Sequence, residues 1–128
     1  MKIAIILDPL DDIKTYKDTS YAMMAEAAAR GHALHVLMQD GVMWKGGRVI
    51  GESCRLELTG DKERWYRIDL PREDALADFD AVLMRKDPPF DMEYVTATWL
   101  LELAQREGAR VFNDPRALRD HSEKLAIA

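Results

Sequence analysis

The sequence has a single cysteine among its 128 residues, and this excludes an intrachain disulfide. One unpaired thiol is compatible with a reducing compartment, so we expect a cytoplasmic protein. A nucleophilic cysteine needs a nearby base and an electropositive setting. Cys54 lies instead in an apparent strand at residues 53–56, and we interpret it as a structural residue.

Long apolar runs are also absent. No stretch approaches the roughly 20 consecutive apolar residues that a membrane-spanning helix needs. The amino terminus carries one lysine and then enters a strand pattern, which is unlike a secretory signal peptide. We therefore predict no association with a membrane.

The common nucleotide-binding and metal-binding motifs are missing. No G-x-G-x-x-G follows the first strand, and no glycine-rich loop ends in Lys-Ser or Lys-Thr, so dinucleotide binding of the usual kind is not expected. His32, His35 and His121 lack the spacing of metal ligands. The net charge of −5 argues against general nucleic-acid binding, yet it permits a local basic pocket for carboxylates or phosphates.

The patterns that are present predict one α/β domain over residues 1–128. Residues 3–7 form a continuous apolar run typical of a parallel strand buried on both faces. A helix follows from residue 18 to about residue 30, with its inner face at Tyr21, Met24, Ala25 and Ala28. A second strand at residues 33–38 completes a β-α-β unit.

Residues 41–70 predict a different, antiparallel and peripheral unit. A hairpin is expected from residues 42–45 and 48–50 around the Gly46-Gly47 turn, and shorter strands from residues 54–58 and 65–70. Residue 71 is a proline and is expected to begin a loop rich in acidic side chains.

The parallel pattern resumes at residue 81. We expect a buried strand at 81–84, a helix from Asp91 to about residue 107, a strand at 109–112 and a last helix from residue 113. The inner face of the helix that begins at Asp91 is expected to consist of Met92, Val95, Trp99, Leu100 and Leu103. The last helix reaches residue 128 with no stop signal and an apolar end, so we expect the natural protein to continue further.

The most informative segment is residues 84–91, Met-Arg-Lys-Asp-Pro-Pro-Phe-Asp. Its two prolines end the preceding strand and restrict the turn that carries Arg85, Lys86 and Asp87. Ligands of open α/β sheets bind beyond the carboxyl ends of the strands.

The other strand ends carry residues 8–9, 38–40 and 113–114, and the helix start at 18–20 points to the same edge. Such a crevice suits a small substrate with carboxylates, which Arg85 could hold through two hydrogen bonds. Alternatively, these are ordinary surface charges, and Asp18 and Ser20 only cap the helix.

Four stretches carry a resemblance that spans almost the whole chain in order. Residues 84–91 resemble the signature of prokaryotic glutathione synthetases, and three further segments agree with it: residues 8–9, 17–23 and 113–125. The departures are small: Thr19 stands where a second serine is familiar, and His121-Ser122 where the family often has Cys-Asn.

The resemblance implies a Rossmann-like pre-ATP-grasp domain with a mainly parallel central sheet flanked by helices. The parent enzyme would join γ-glutamylcysteine to glycine with ATP and Mg²⁺, through an acyl phosphate, and would be a homotetramer. The ATP-grasp module of the same natural chain would lie outside these residues, so the fragment alone is expected to be inactive. By the same resemblance the substrate-binding residues are Asp18, Ser20, Arg85, Lys86 and Asp87. Lys124 matches a lysine that reaches the ATP phosphates.

Two other classes remain open. In a receiver-like regulatory module, Asp11-Asp12 and Lys86 would form the acidic pocket and its lysine, although no phosphorylatable aspartate follows an apolar run near residues 50–60. The other class is a free-standing α/β domain that binds a small ligand, which the uncapped apolar end of the sequence disfavours.

Overall fold

A computed structural model describes residues 1–13, 19–61, 63–86 and 91–112. The helices and strands, numbered in chain order, are β1 (Lys2–Ile6), α1 (Thr19–Ala29), β2 (Ala33–Leu37), β3 (Val42–Lys45), β4 (Arg48–Leu58), β5 (Tyr66–Ile68), β6 (Arg72–Ala75), β7 (Ala81–Met84), α2 (Met92–Arg106) and β8 (Val111–Phe112). The predicted helix from residue 113 lies outside the described residues.

The strands of the described residues form one sheet in the order β3-β4-β2-β1-β7-β8. Strand β1 pairs in parallel with β2 on one side and with β7 on the other, and β7 pairs in parallel with β8. This arrangement confirms the predicted Rossmann-like α/β class. Strand β2 lies on one side of β1 and strand β7 on the other, so the strand order reverses between β1 and β7. In such folds ligands bind at this switch point, beyond the carboxyl ends of the two strands.

The antiparallel unit is built around β4. The predicted hairpin of β3 and β4 is confirmed, with Gly46 and Gly47 at φ values of 62° and 76°. Strand β4 then continues to Leu58, pairing with β2 and β5, so the two strands predicted at 48–50 and 54–58 are one.

The loop predicted after Pro71 is wrong in part, because β6 occupies Arg72–Ala75 and pairs with residues 50–53 of β4. Its acidic side chains are poor strand formers. Backbone pairing along β4 and burial of Ala75 hold the strand in place despite them.

Two apolar layers cover the two faces of the sheet. Ile3 and Ile5 of β1, and Leu7 directly after it, pack on the side of α1, whereas Ala4 and Ile6 pack on the side of α2. This confirms the prediction of a strand buried on both faces. On α1, Met24 is fully buried in this layer, whereas Ala28 is exposed, contrary to the prediction. No helix in the described ranges is long and apolar enough to cross a membrane.

The predicted inner face of α2 is largely wrong. Met92 and Trp99 are 76% and 56% exposed, and Leu103 is also exposed. The buried residues are Tyr94, Ala97, Thr98, Leu101 and Ala104. Small side chains let the helix lie close to the sheet, and the Thr98 hydroxyl donates a hydrogen bond to the Val95 carbonyl at 2.7 Å. Hydrophobicity alone therefore selects the wrong face of this helix.

His35 on β2 predicts a loss of stability in acid. Its ring packs edge-on against Phe79, and its pKa is lowered by burial, then by the charges of Lys2, Arg55 and Arg72, against an opposing effect of Asp74. The unfolded chain therefore binds a proton more readily than the folded one, so this contribution is complete above the ordinary pKa of 6.5 and declines as the pH falls below it.

We expect the midpoint of thermal unfolding to fall less between neutral pH and about pH 5 in the His35→Gln variant than in the wild type. Thermal melts followed by circular dichroism across this range measure the difference. Parallel slopes for the two proteins would contradict the prediction.

Candidate active site

The residues that follow β1 and β7 are fixed by backbone pairing. The Arg85 N–H donates to the Ile6 carbonyl at 2.9 Å, and the Leu7 N–H donates to the Leu37 carbonyl at 3.0 Å. The ladder therefore extends one residue past each strand. The first charged side chains after the strands start from defined positions at the carboxyl edge of the sheet.

Arg85 and Ser20, two of the predicted substrate-binding residues, lie together. The Arg85 Nε donates to the Ser20 Oγ across 3.4 Å, a long hydrogen bond, and Ser20 is only 6% exposed. Ser20 belongs to the first turn of α1, which begins at Thr19. A guanidinium beside the free N–H groups of a helix start favours binding of an anion.

Lys86 is held by Asp8. The Lys86 Nζ lies 3.2 Å from the Asp8 Oδ1, and both side chains are mostly buried, at 16% and 30% exposure. In a purely structural interpretation Arg85 would pair with Asp87 or Asp8 and stiffen the turn. Asp8 forms its ion pair with Lys86 instead, and Asp87 lies outside the described residues. An ammonium held in this way is oriented at the same edge of the sheet as the Arg85 guanidinium.

The sequence predicts Asp8 at this edge of the sheet but indicates no role for it. The strand register contains the missing signal, because Ile6 pairs with Met84. Asp8 and Lys86 each lie two residues further along parallel strands, and a contact between them follows from that spacing.

A concavity of about 380 Å³ adjoins Arg85, with Met23, Leu83 and Phe112 in its wall. It places an apolar surface next to the guanidinium, which suits a ligand with a carboxylate and an uncharged part. Met23 and Phe112 were not predicted as site residues, since only the folded sheet brings α1 and β8 to the same edge.

The remaining predicted site residues, Asp18, Asp87 and Lys124, lie outside the described residues, as do residues 113–114. Within the described part of the chain, no group of three or more His, Cys, Asp or Glu side chains is placed to hold a metal ion. The described part of the site thus contains the Arg85 guanidinium and the Lys86–Asp8 ion pair, and the guanidinium is the group suited to an anionic substrate.

The receiver-like alternative fits the described geometry poorly. Asp11 accepts a hydrogen bond from the Tyr66 hydroxyl at 2.6 Å, and Lys86 pairs with Asp8. Neither Asp11 nor Lys86 is thus arranged around a phosphorylation site.

Comparison with known proteins agrees with the resemblance. The profile of a family described as "Prokaryotic glutathione synthetase, N-terminal domain" matches residues 1–119. Proteins named glutathione synthetase from Ralstonia nicotianae, Nitrosomonas europaea and Neisseria meningitidis serogroup B are 60%, 58% and 47% identical to the chain. These matches cover 99–100% of the chain but only 40–41% of each relative, so the chain spans about two fifths of their length. The chain therefore belongs to the prokaryotic glutathione synthetase family, as its N-terminal domain.

Proposed function

We propose that this chain is the substrate-binding domain of an ATP-dependent ligase that joins γ-glutamylcysteine and glycine to form glutathione. The observation that carries the proposal is the cationic edge formed by Arg85, Lys86 and Ser20, in a chain of this family. The dipeptide bears carboxylates at both ends, and this edge offers a guanidinium, an ammonium and a helix start for such groups.

The proposed reaction requires the cysteinyl carboxylate to be activated as an acyl phosphate, from which phosphate is a good leaving group. A carboxylate oxygen attacks the γ-phosphorus of ATP, ADP leaves, and an acyl phosphate forms. The glycine amine then attacks the carbonyl carbon, an amide bond forms, phosphate leaves and the amine releases a proton. Charge builds up on oxygen in both steps, so Arg85 would orient the carboxylate and stabilise the developing negative charge.

ATP and Mg²⁺ are assigned mainly to the ATP-grasp module of the same natural chain, with Lys124 reaching the phosphates. Asp18 and Asp87 would complete the dipeptide site, the substrate amine being their natural partner. We further propose that the parent enzyme is a cytoplasmic homotetramer.

The proposal predicts that the 128-residue chain unfolds cooperatively but makes no glutathione. The two apolar layers of the chain favour cooperative folding. Glutathione synthesis is not expected, because the ATP-binding module would lie outside these 128 residues. Denaturant titration and a chromatographic glutathione assay with ATP, Mg²⁺, γ-glutamylcysteine and glycine measure the two properties.

The full-length protein from the same gene is the control, and it should form glutathione only when ATP is present. A coding sequence that stops after Ala128, or ATP-dependent synthesis by the 128-residue chain, would overturn the proposal.

A further inference from the structure

A second concavity lies on the α1 side of the sheet, beyond the carboxyl ends of β1 and β2 and against β4 and β5. Its volume is about 420 Å³, within the range of small-molecule sites. Leu7, Val36, Ile68 and Pro71 contribute apolar walls, while Asp40 and Glu52 contribute carboxylates. We call this concavity the acidic groove.

The two acidic residues of the groove belong to segments that are in backbone contact. Gly41, next to Asp40, packs so closely on β4 that a Cβ there would lie 2.9 Å from the Glu52 carbonyl oxygen. The turn that carries Asp40 thus lies against the backbone of Glu52, and both residues line the groove.

The charge of the acidic groove is of one sign. Among the described residues, Asp40 and Glu52 have exposed side chains that make no ion pair or hydrogen bond, and the described lining includes no Lys, Arg or His. Asp8 also lines the groove, but Lys86 already neutralises it. The negative potential acts on Cys54 in the wall, whose pKa is raised by burial first and then by Glu52 and Asp69.

We propose that the acidic groove binds a small organic cation, an ammonium or guanidinium compound with an apolar body. The charged head would lie toward Asp40 and Glu52, and the apolar body against Val36 and Leu7. Arg85 is not among the described residues that line the groove, whereas Asp8, the partner of Lys86, is, so the groove adjoins the candidate active site. The proposal does not depend on the ligase function.

The wall formed by β5 is well supported. The Tyr66 hydroxyl donates to Asp11 at 2.6 Å, and the Tyr66 ring packs edge-on against Trp65, which is only 3% exposed. Trp65 in turn packs against Tyr21 of α1. A wall held by these contacts at Trp65 and Tyr66 is partly preformed, which lowers the ordering cost of binding.

The test uses the full-length protein and three probes with the same apolar body: 4-phenylbutylamine, 4-phenylbutanol and 4-phenylbutyrate. Isothermal titration calorimetry should show binding of the amine, weaker binding of the alcohol and none of the carboxylate. The double variant Asp40→Asn/Glu52→Gln should weaken binding of the amine about tenfold or more, since it removes both charged acceptors. Glu57→Gln is the matched control, because Glu57 is an exposed carboxylate of the same strand that pairs with Arg67 outside the groove, and it should leave the affinity unchanged.

Alkylation of Cys54 by iodoacetamide, measured by mass spectrometry of its peptide, locates the bound probe. The amine should slow the reaction, and the carboxylate should not. Three results would overturn the proposal: no binding of the amine, equal binding of amine and carboxylate, or binding unaffected by the double variant. Without any probe, slower alkylation of Cys54 in the full-length protein than in the 128-residue chain would also overturn the proposal, because another segment of the full-length chain would then occupy the groove.

Discussion

Replacement of Leu101 by alanine is expected to lower the free energy of unfolding by about 2–5 kcal/mol. Leu101 is fully buried in the layer beneath α2, where it belongs to one cluster with Ile6, Leu76 and Val82. Truncation removes buried methyl groups and leaves a cavity that the surrounding strands cannot fill. Urea titration of the 128-residue chain, with the slope compared between variants, gives this quantity.

Leu103→Ala is the matched control, since the same side chain is lost from the same helix. Leu103 is 37% exposed, so its truncation should cost no more than about 1 kcal/mol. The pair also tests the orientation of α2. A larger cost at Leu103 than at Leu101 would mean that the helix buries the face predicted from hydrophobicity, and that the described packing is wrong.

The strands that form the parallel core could be predicted because their sequences are continuous apolar runs. Residues 3–6 of β1 and 81–84 of β7 are all apolar, and such a pattern predicts a parallel strand that is buried on both faces. Helix α2 is different, because its large hydrophobic residues occur on more than one face, so hydrophobicity does not mark a single inner face. Ala97, Leu101 and Ala104 are buried whereas Trp99 and Leu103 are exposed, and that choice depends on how the helix packs on the sheet.

The site could be predicted as far as strand ends determine it. Arg85 and Lys86 follow an apolar run, and Ser20 opens a helix, so their common edge followed from the expected topology. The β6 pairing and the contribution of Phe112 could not be predicted, since both depend on partners distant in sequence. The strand propensity of a segment does not indicate which distant strand its backbone will pair with.

Arg85→Ala in the full-length protein is expected to lower kcat/KM by about ten- to a hundredfold while the fold stays intact. Loss of a charge-assisted hydrogen bond to a carboxylate costs about 1.5–3 kcal/mol, and this range corresponds to that loss of rate. Arg85→Lys should recover little of it if the guanidinium binds the carboxylate through two parallel hydrogen bonds, because an ammonium cannot reproduce them. Steady-state kinetics with varied γ-glutamylcysteine, alongside a thermal melt of each variant, measures both effects.

Arg67→Ala is the control for loss of an arginine as such. Arg67 lies on β5, is 75% exposed and pairs with Glu57, so its removal should leave kcat/KM unchanged. The competing interpretation of Arg85 is structural, with the hydrogen bond to Ser20 only joining α1 to the end of β7. The two interpretations predict opposite patterns: a substrate contact lowers kcat/KM at constant melting temperature, and a structural contact lowers the melting temperature at constant kcat/KM. The second pattern would remove Arg85 from the dipeptide site and leave Lys86, oriented by Asp8, as the described cation that binds the substrate.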